Sequence, residues 1–229
     1  MIKLAESVKK MRTIRGLTQV QVAEALNIAR SSYIAIEKGS RDVTLTEAEQ
    51  LARTLGVTVE EIYKRVAPDH NKYRQMILFF LRSVPGDGKV PKTKLAKYLY
   101  LADFAWFYSN LESMSGMAYR RISFGPVPDQ FFRAIDELES EGLLKIQYKV
   151  QNGSDVHLIS VTDAGRKMKL DEISVKETEL MKKIEKKWRD KSTREIVAFT
   201  HQQLPFEMSF EGEIIPYELI TQEEPEYVY

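Results

Sequence analysis

Over the first 66 positions, apolar residues recur at helical spacing in short runs, each opened by a polar residue and closed by a glycine or a small polar residue. Gly16, Gly39 and Gly56 stand where a helix ends in a left-handed residue. Thr18 with Gln21, Thr44 with Glu47 and Thr58 with Glu61 have the spacing of capping boxes, in which a hydroxyl and an amide or acid satisfy two orphan backbone N–H groups. The pattern predicts five short helices, near 3–15, 19–26, 29–38, 45–55 and 59–65. At the join of the second and third, Val22, Ala23 and Leu26 mark one inward face, and Ile28, Tyr33 and Ile36 the next. Asn27 between them takes a position that needs positive φ. Small Ala23 lets two helices cross closely over a short turn, which a helix-turn-helix requires.

Beyond residue 66 the pattern changes. The polar, Pro68-containing stretch 67–71 reads as a linker, and a second domain is expected over 72–229. Tyr73–Val84 predicts an apolar helix and Pro85-Gly86-Asp87-Gly88 a turn, after which Pro91 opens a long helix. In Lys94–Tyr108 the apolar residues leave little polar face, so that helix is expected at the centre of a core. Met117–Phe124 predicts a strand, and Gly125-Pro126-Val127-Pro128 a turn into a helix ending at Glu141-Gly142. Leu143–Val150 and Val156–Val161, joined around Asn152-Gly153, predict a β-hairpin. A charged helix is expected over about 175–190, with Ser192 and Glu195 capping the next, and an acidic, aromatic tail from Pro205. The fold class predicted is mainly α with a small β component.

Composition narrows the chemistry. With no cysteine, disulfides, thiolate catalysis and thiolate zinc sites are excluded. His70, His157 and His201 stand far apart with no metal-ligand spacing, so neither metal nor cofactor is expected. No run approaches the roughly 18 apolar residues of a membrane span, and Met1–Glu6 lacks the apolar run of a signal peptide, so a cytoplasmic protein is expected. Residues 1–66 carry 11 Lys and Arg against 8 Asp and Glu, whereas 204–229 carry seven Glu and no Lys or Arg. A phosphate-binding surface therefore belongs at the front.

Two family resemblances follow. Leu17-Thr18-Gln19-x-x-Val22-Ala23-x-x-Leu26-Asn27-Ile28, Ile36-Glu37-Lys38-Gly39 and Leu51-Ala52-x-x-Leu55-Gly56-Val57 resemble the Cro/C1-repressor helix-turn-helix of the XRE family, a five-helix, lambda-repressor-like domain. The resemblance implies that Arg30, Ser31 and Ala35 meet bases in the major groove of operator DNA. Gln19, Ser32, Lys38 and Arg41 would hold phosphates. It also makes Arg12 and Glu37 a structural ion pair. Ala29 departs from the family's Ser or Thr, at a cost of about 1 kcal/mol of capping, and Ile34 stands where a polar residue is usual.

Lys94-Leu95-x-Lys97-x-Leu99-Tyr100-Leu101-Ala102-Asp103-Phe104, Gly116-x-x-Tyr119, Phe124-Gly125-Pro126-Val127-Pro128 and Glu195-Ile196-x-x-Phe199-Thr200-His201-x-x-x-Pro205-Phe206 resemble the Panacea domain of SocA-like antitoxins. This second resemblance implies an α+β domain and an antitoxin that neutralises a toxin by direct contact while repressing its own operon. A homodimer is expected, because one such DNA-binding unit reads only a few base pairs. Tyr119, Arg120, Arg121 and Phe124 supply the aromatic and Arg cluster that a toxin interface favours, and the acidic tail offers a second contact or a solubilising end. Asp103 reads as a buried, hydrogen-bonded acid, since no nucleophile or second carboxylate accompanies it; no enzyme is expected. The alternatives are a prophage-type regulator whose second domain senses a small ligand, and a second DNA-binding unit using the 143–161 hairpin, with Lys145 and Lys149, as a wing.

Overall fold

The computed structural model describes residues 5, 8–9, 11–13, 15–57, 59, 68–85, 88–151 and 154–229. The Thr58–Glu61 capping box, all but residue 59 of the helix expected at 59–65, and the turn residues Gly86, Asp87, Asn152 and Gly153 lie outside them. The chain divides into two units, Met1–Ala67 and Pro68–Tyr229.

In the first unit, helical backbone at residues 5, 8–9 and 11–13 precedes α1 (Gln19–Ala25), α2 (Arg30–Glu37) and α3 (Leu45–Leu55). Thr18 and Thr44 cap α1 and α3 through complete capping boxes with Gln21 and Glu47. Ala29 gives α2 no side-chain cap. Asn27 sits at φ +53° and Gly16, Gly39 and Gly56 at +62° to +68°, so the turns fall where the small and polar residues permit them. Val8, Met11, Val22, Ala23, Leu26, Tyr33, Ile36, Leu51, Ala52 and Leu55 form one core. Ala23, nearly fully buried, lets α1 and α2 close on each other.

The second unit opens with α4 (His70–Ser83), earlier than the sequence pattern suggests: Asp69 accepts from the Lys72 backbone N–H at 3.0 Å and caps the helix, so His70 and Asn71 belong to it and not to a linker. A short strand, β1 (Val90–Pro91), leads directly into α5 (Lys92–Asn110). Every residue of α5 from Lys94 to Ala105 is buried, and the helix runs through the middle of the core. The hairpin β2 (Tyr119–Ile122) and β3 (Gly125–Pro128), the helix α6 (Gln130–Ser140), the hairpin β4 (Leu144–Gln151) and β5 (Ser154–Val161), and the short α7 (Asp163–Lys167) follow. The unit is completed by α8 (Val175–Trp188), α9 (Thr193–Gln202), α10 (Leu204–Glu207) and 3₁₀ turns at Tyr217–Gln222 and Pro225–Tyr227.

Gly125–Pro128 forms a strand where a turn is the sequence expectation. The two prolines fit because they face Arg121 and Tyr119, whose backbone groups turn outward: Arg121 N–H donates to Glu213 and its carbonyl accepts from Gly212, while the Tyr119 carbonyl accepts from Ile215. The missing proline N–H groups thus fall at pairs that exchange no hydrogen bond. The tail is likewise no loose end. Ile215, Ile220 and Val228 are buried in the core, Gln203 Nε2 donates to the Tyr227 and Val228 carbonyls, and Glu223 accepts from the Leu204 N–H.

Strand β1 pairs with β5, which pairs with β4, giving the sheet order β1-β5-β4. The β4–β5 hairpin follows α6, as a DNA-binding wing would, and the β2–β3 hairpin is inserted between α5 and α6. Helix α6 would be the groove-reading element, yet its exposed residues include Asp136 and Glu139, and its Arg133 is paired with Glu137 at 2.7 Å. Such a face repels phosphate, so the arrangement does not support a second DNA-binding wing.

Candidate functional site

The first site is the outward face of α2. Tyr33 and Ile36 anchor the helix from beneath, leaving Arg30 and Ser31 exposed and Ser32 and Ala35 half-buried beside them. A helix presented this way fits the major groove, with its early residues toward base edges. Lys38 follows at the helix end, exposed, while the Arg41 guanidinium is held at 2.7 Å by Glu47.

Beneath that face the expected Arg12–Glu37 ion pair is present, and it extends through Gln19 to Arg30 as a polar relay that the sequence did not suggest. Arg12 Nε donates to Glu37 Oε1 at 2.6 Å, and Arg12 Nη1 to the Leu17 carbonyl at 2.8 Å. Gln19 Nε2 donates to Glu37 Oε2 at 2.9 Å, and Gln19 Oε1 accepts from Arg30 Nη2 at 3.2 Å. Burial pushes the Glu37 carboxyl up, but hydrogen bonds from Arg12 and Gln19 and the charge of Arg12 outweigh it and leave the pKa lowered. Glu37 is therefore a charged hub. It ties the first helical segment to α2, and through Gln19 it orients the Arg30 side chain as well as the fold.

In the second unit the expected toxin-contact cluster separates into different roles. Tyr119 is fully buried: its hydroxyl donates to Asp103 Oδ2 at 2.8 Å and its ring packs edge-on against Tyr100 and Phe104, so it is a core residue and no surface anchor. Arg120 bonds Asp129 and the Gly212 carbonyl. Arg121 donates to the carbonyls of Phe206, Glu207 and Ser209 and lies 4.5 Å from the Phe206 ring centre. Both arginines are thus engaged within the chain. Phe124, at the β2–β3 turn, is 70% exposed and free to meet a partner.

The motif residues around that hairpin explain one another. Asp103, fully buried, accepts from Ser113 Oγ, the Ser115 N–H and hydroxyl, and Tyr119. Burial nonetheless raises its pKa. Lys97 is also fully buried, with its Nζ 3.1 Å from the Pro126 carbonyl, and desolvation lowers it to about 7. Gly125, at φ +94°, passes so close over this lysine that a Cβ would stand 2.7 Å from Lys97 Nζ and 2.8 Å from His201 Nε2. His201 stacks on Phe206 with ring centres 4.3 Å apart. Its pKa is lowered by burial and then by the charges of Lys97 and Arg121. These contacts fix the hairpin against α5 and α9.

A cavity of about 720 Å³ opens beside the hairpin, lined by Phe124, Phe131, Phe132, Val156, Lys92 and Lys97 among others. Sequence reading missed it, because its walls come from elements scattered between Pro91 and Arg194. Among the described residues no helix is long and apolar enough to cross a membrane.

Comparison with known proteins agrees with both units. A helix-turn-helix family model matches residues 8–62. An uncharacterized HTH-type transcriptional regulator of Methanocaldococcus jannaschii is 37% identical over 60 residues, which is 26% of this chain and 91% of that protein. The chain belongs to the helix-turn-helix family. Its second unit is a SocA-like antitoxin Panacea domain, whose family model matches residues 95–205. The control protein C.MunI of a Mycoplasma species is 30% identical over 66 residues, 28% of this chain and 89% of that protein. The repressor RstR of the cryptic phage CTXphi of Vibrio cholerae is 31% identical over 58 residues, 25% of this chain and 52% of the repressor. No solved structure matches.

Proposed function

We propose that this helix-turn-helix Panacea protein is an antitoxin that neutralises a cognate toxin by direct binding through its second domain and represses its own operon through its first, acting by binding and not by catalysis. The observation that carries the reading is the joining, in one chain, of a recognition helix with exposed Arg30 and Ser31 to a SocA-like Panacea domain.

On the DNA side, Arg30, Ser31 and Ala35 meet base edges, Arg30 gripping a guanine for about 1–3 kcal/mol of discrimination. Ser32 and Lys38 take phosphates, which set register and salt dependence; the Gln19 side chain is held by Glu37 and Arg30 and the Arg41 guanidinium by Glu47, so Gln19 positions Arg30 and Arg41 braces the start of α3. Two copies on half-sites about 34 Å apart supply the affinity that one unit lacks. On the protein side the toxin contact centres on Phe124, an exposed aromatic anchor on a short hairpin whose base is fixed to the core.

The test is co-expression with the product of the adjacent gene. Restored growth, co-purification of the two proteins and loss of both on Phe124→Asp support the reading. A neighbouring product that is not toxic, or that is toxic and neither bound nor relieved, overturns it.

A further inference from the structure

We propose that the cavity beside the β2–β3 hairpin binds a small organic acid, one carboxylate carried on an apolar body of about aromatic size. The walls set the body. Phe131 and Val127 are buried at the inner side, Val156 is half-buried, and Phe124 and Phe132, 70% and 46% exposed, stand at the mouth. An apolar lining with a few placed polar groups and a volume of about 720 Å³ falls inside the roughly 300–1,000 Å³ range of small-molecule sites.

The charges set the head group. Lys92, Lys97 and Arg194 line the cavity against a single carboxylate, Asp155. Among the described residues none of the three cations is paired with a carboxylate: Lys97 Nζ has the Pro126 carbonyl alone, and Lys92 Nζ lies 4.9 Å from the Phe132 ring centre. A buried ammonium without a counter-ion is costly, and its lowered pKa, about 7, reports that cost. An anion seated in the cavity relieves it. The excess of cations over one acid selects an anion, while the predominance of aromatic and aliphatic wall selects an organic acid over inorganic phosphate. Concave walls drawn from β1, α5, β3, α6, β5 and the start of α9 fit a free molecule. The site shares only Phe124 with the proposed toxin contact and does not depend on that reading.

The experiment titrates the full chain, without DNA or toxin, with 3-phenylpropionate and with the neutral 3-phenylpropanol, following the Val127 and Val156 methyl signals by NMR. The acid is expected to bind at least tenfold more tightly than the alcohol, with inorganic phosphate giving no shift at those methyls. Replacing the two rim cations together, Lys92→Met with Arg194→Met, leaves the buried Lys97 in place; it is expected to weaken the acid about tenfold or more and leave the alcohol unchanged. Equal affinity of acid and alcohol, unchanged acid binding in the double variant, or shifts confined to signals away from the cavity would each overturn the proposal.

Discussion

Replacing Glu37 with Gln tests the relay that joins fold to recognition. The carboxylate takes two hydrogen bonds from Arg12 and one from Gln19, and the Arg12 and Glu37 side chains are 13% and 3% exposed. Breaking a buried pair costs about 3–5 kcal/mol. Arg12 keeps its bond to the Leu17 carbonyl and some solvent, and the amide keeps one acceptor, so about 2–3 kcal/mol is expected. A unit of this size is stable by roughly 3–10 kcal/mol, so the variant sits near unfolding. The assay is urea unfolding of the full chain read on the Val22 and Leu51 methyl signals of the first unit and the Leu95 and Ile159 signals of the second. The first pair is expected to shift to lower urea and the second to stay.

The pH dependence of that effect has a definite sign. The folded-state pKa of Glu37 lies below its ordinary value, so the stability it contributes is full above about pH 4.3, the unfolded carboxyl's value, and disappears as pH falls through the lowered one. The gap between wild type and variant therefore closes in acid. Below the denaturing range, the variant is also expected to bind operator DNA several-fold more weakly, because Gln19 and Arg30 lose their anchor. An unchanged urea midpoint for Val22 and Leu51 would show that Glu37 does not hold the first unit together.

Three further outcomes are expected. Asp103→Ala leaves the Ser115 N–H, two Ser hydroxyls and the Tyr119 hydroxyl without their acceptor in the core, and should lower the stability of the second unit by about 3–5 kcal/mol in the same urea measurement. Gly125→Ala imposes a positive-φ penalty of about 1 kcal/mol and drives a methyl into Lys97 and His201, so its second-unit melting temperature should fall while the first unit's signals are unaffected. Burial lowers Lys97 to about 7 in the folded chain, against about 10.4 when unfolded, so the unfolded chain holds more protons between those values and stability rises with pH across that window, by on the order of 5 kcal/mol. Lys97→Met should abolish that slope, and a slope unaltered in the variant would contradict the assignment.

The helix-turn-helix was legible because its signals are local. Capping boxes, Gly16, Gly39, Gly56 and Asn27 mark each boundary within a few residues, and the spacing of Tyr33 and Ile36 alone turns Arg30 and Ser31 outward. Motif residues of the second domain were visible, but their duties are long-range. Tyr119 is drawn inward by Asp103 on a helix 16 residues earlier, and Arg121 is fixed by carbonyls at 206, 207 and 209. Nothing near Tyr119 in sequence signals either bond. The prolines of Gly125–Pro128 read as a turn because proline ends most strands; only the outward bonds of Tyr119 and Arg121 to residues 212–215 show why they are tolerated here. The tail's buried Ile215, Ile220 and Val228 follow neither a helical nor a strand period, so its docking left no pattern to find.

The proposed repression rests on α2 reading DNA through Arg30 and Ser31. The most direct measurement is a hydroxyl-radical footprint of the full-length protein on its own promoter, wild type against the double replacement Arg30→Ala with Ser31→Ala, with folding of both checked by the Val22 and Leu51 methyl signals. Wild type is expected to give a discrete footprint and the variant only diffuse, salt-sensitive protection; an identical footprint from a folded variant would rule out recognition through these two residues.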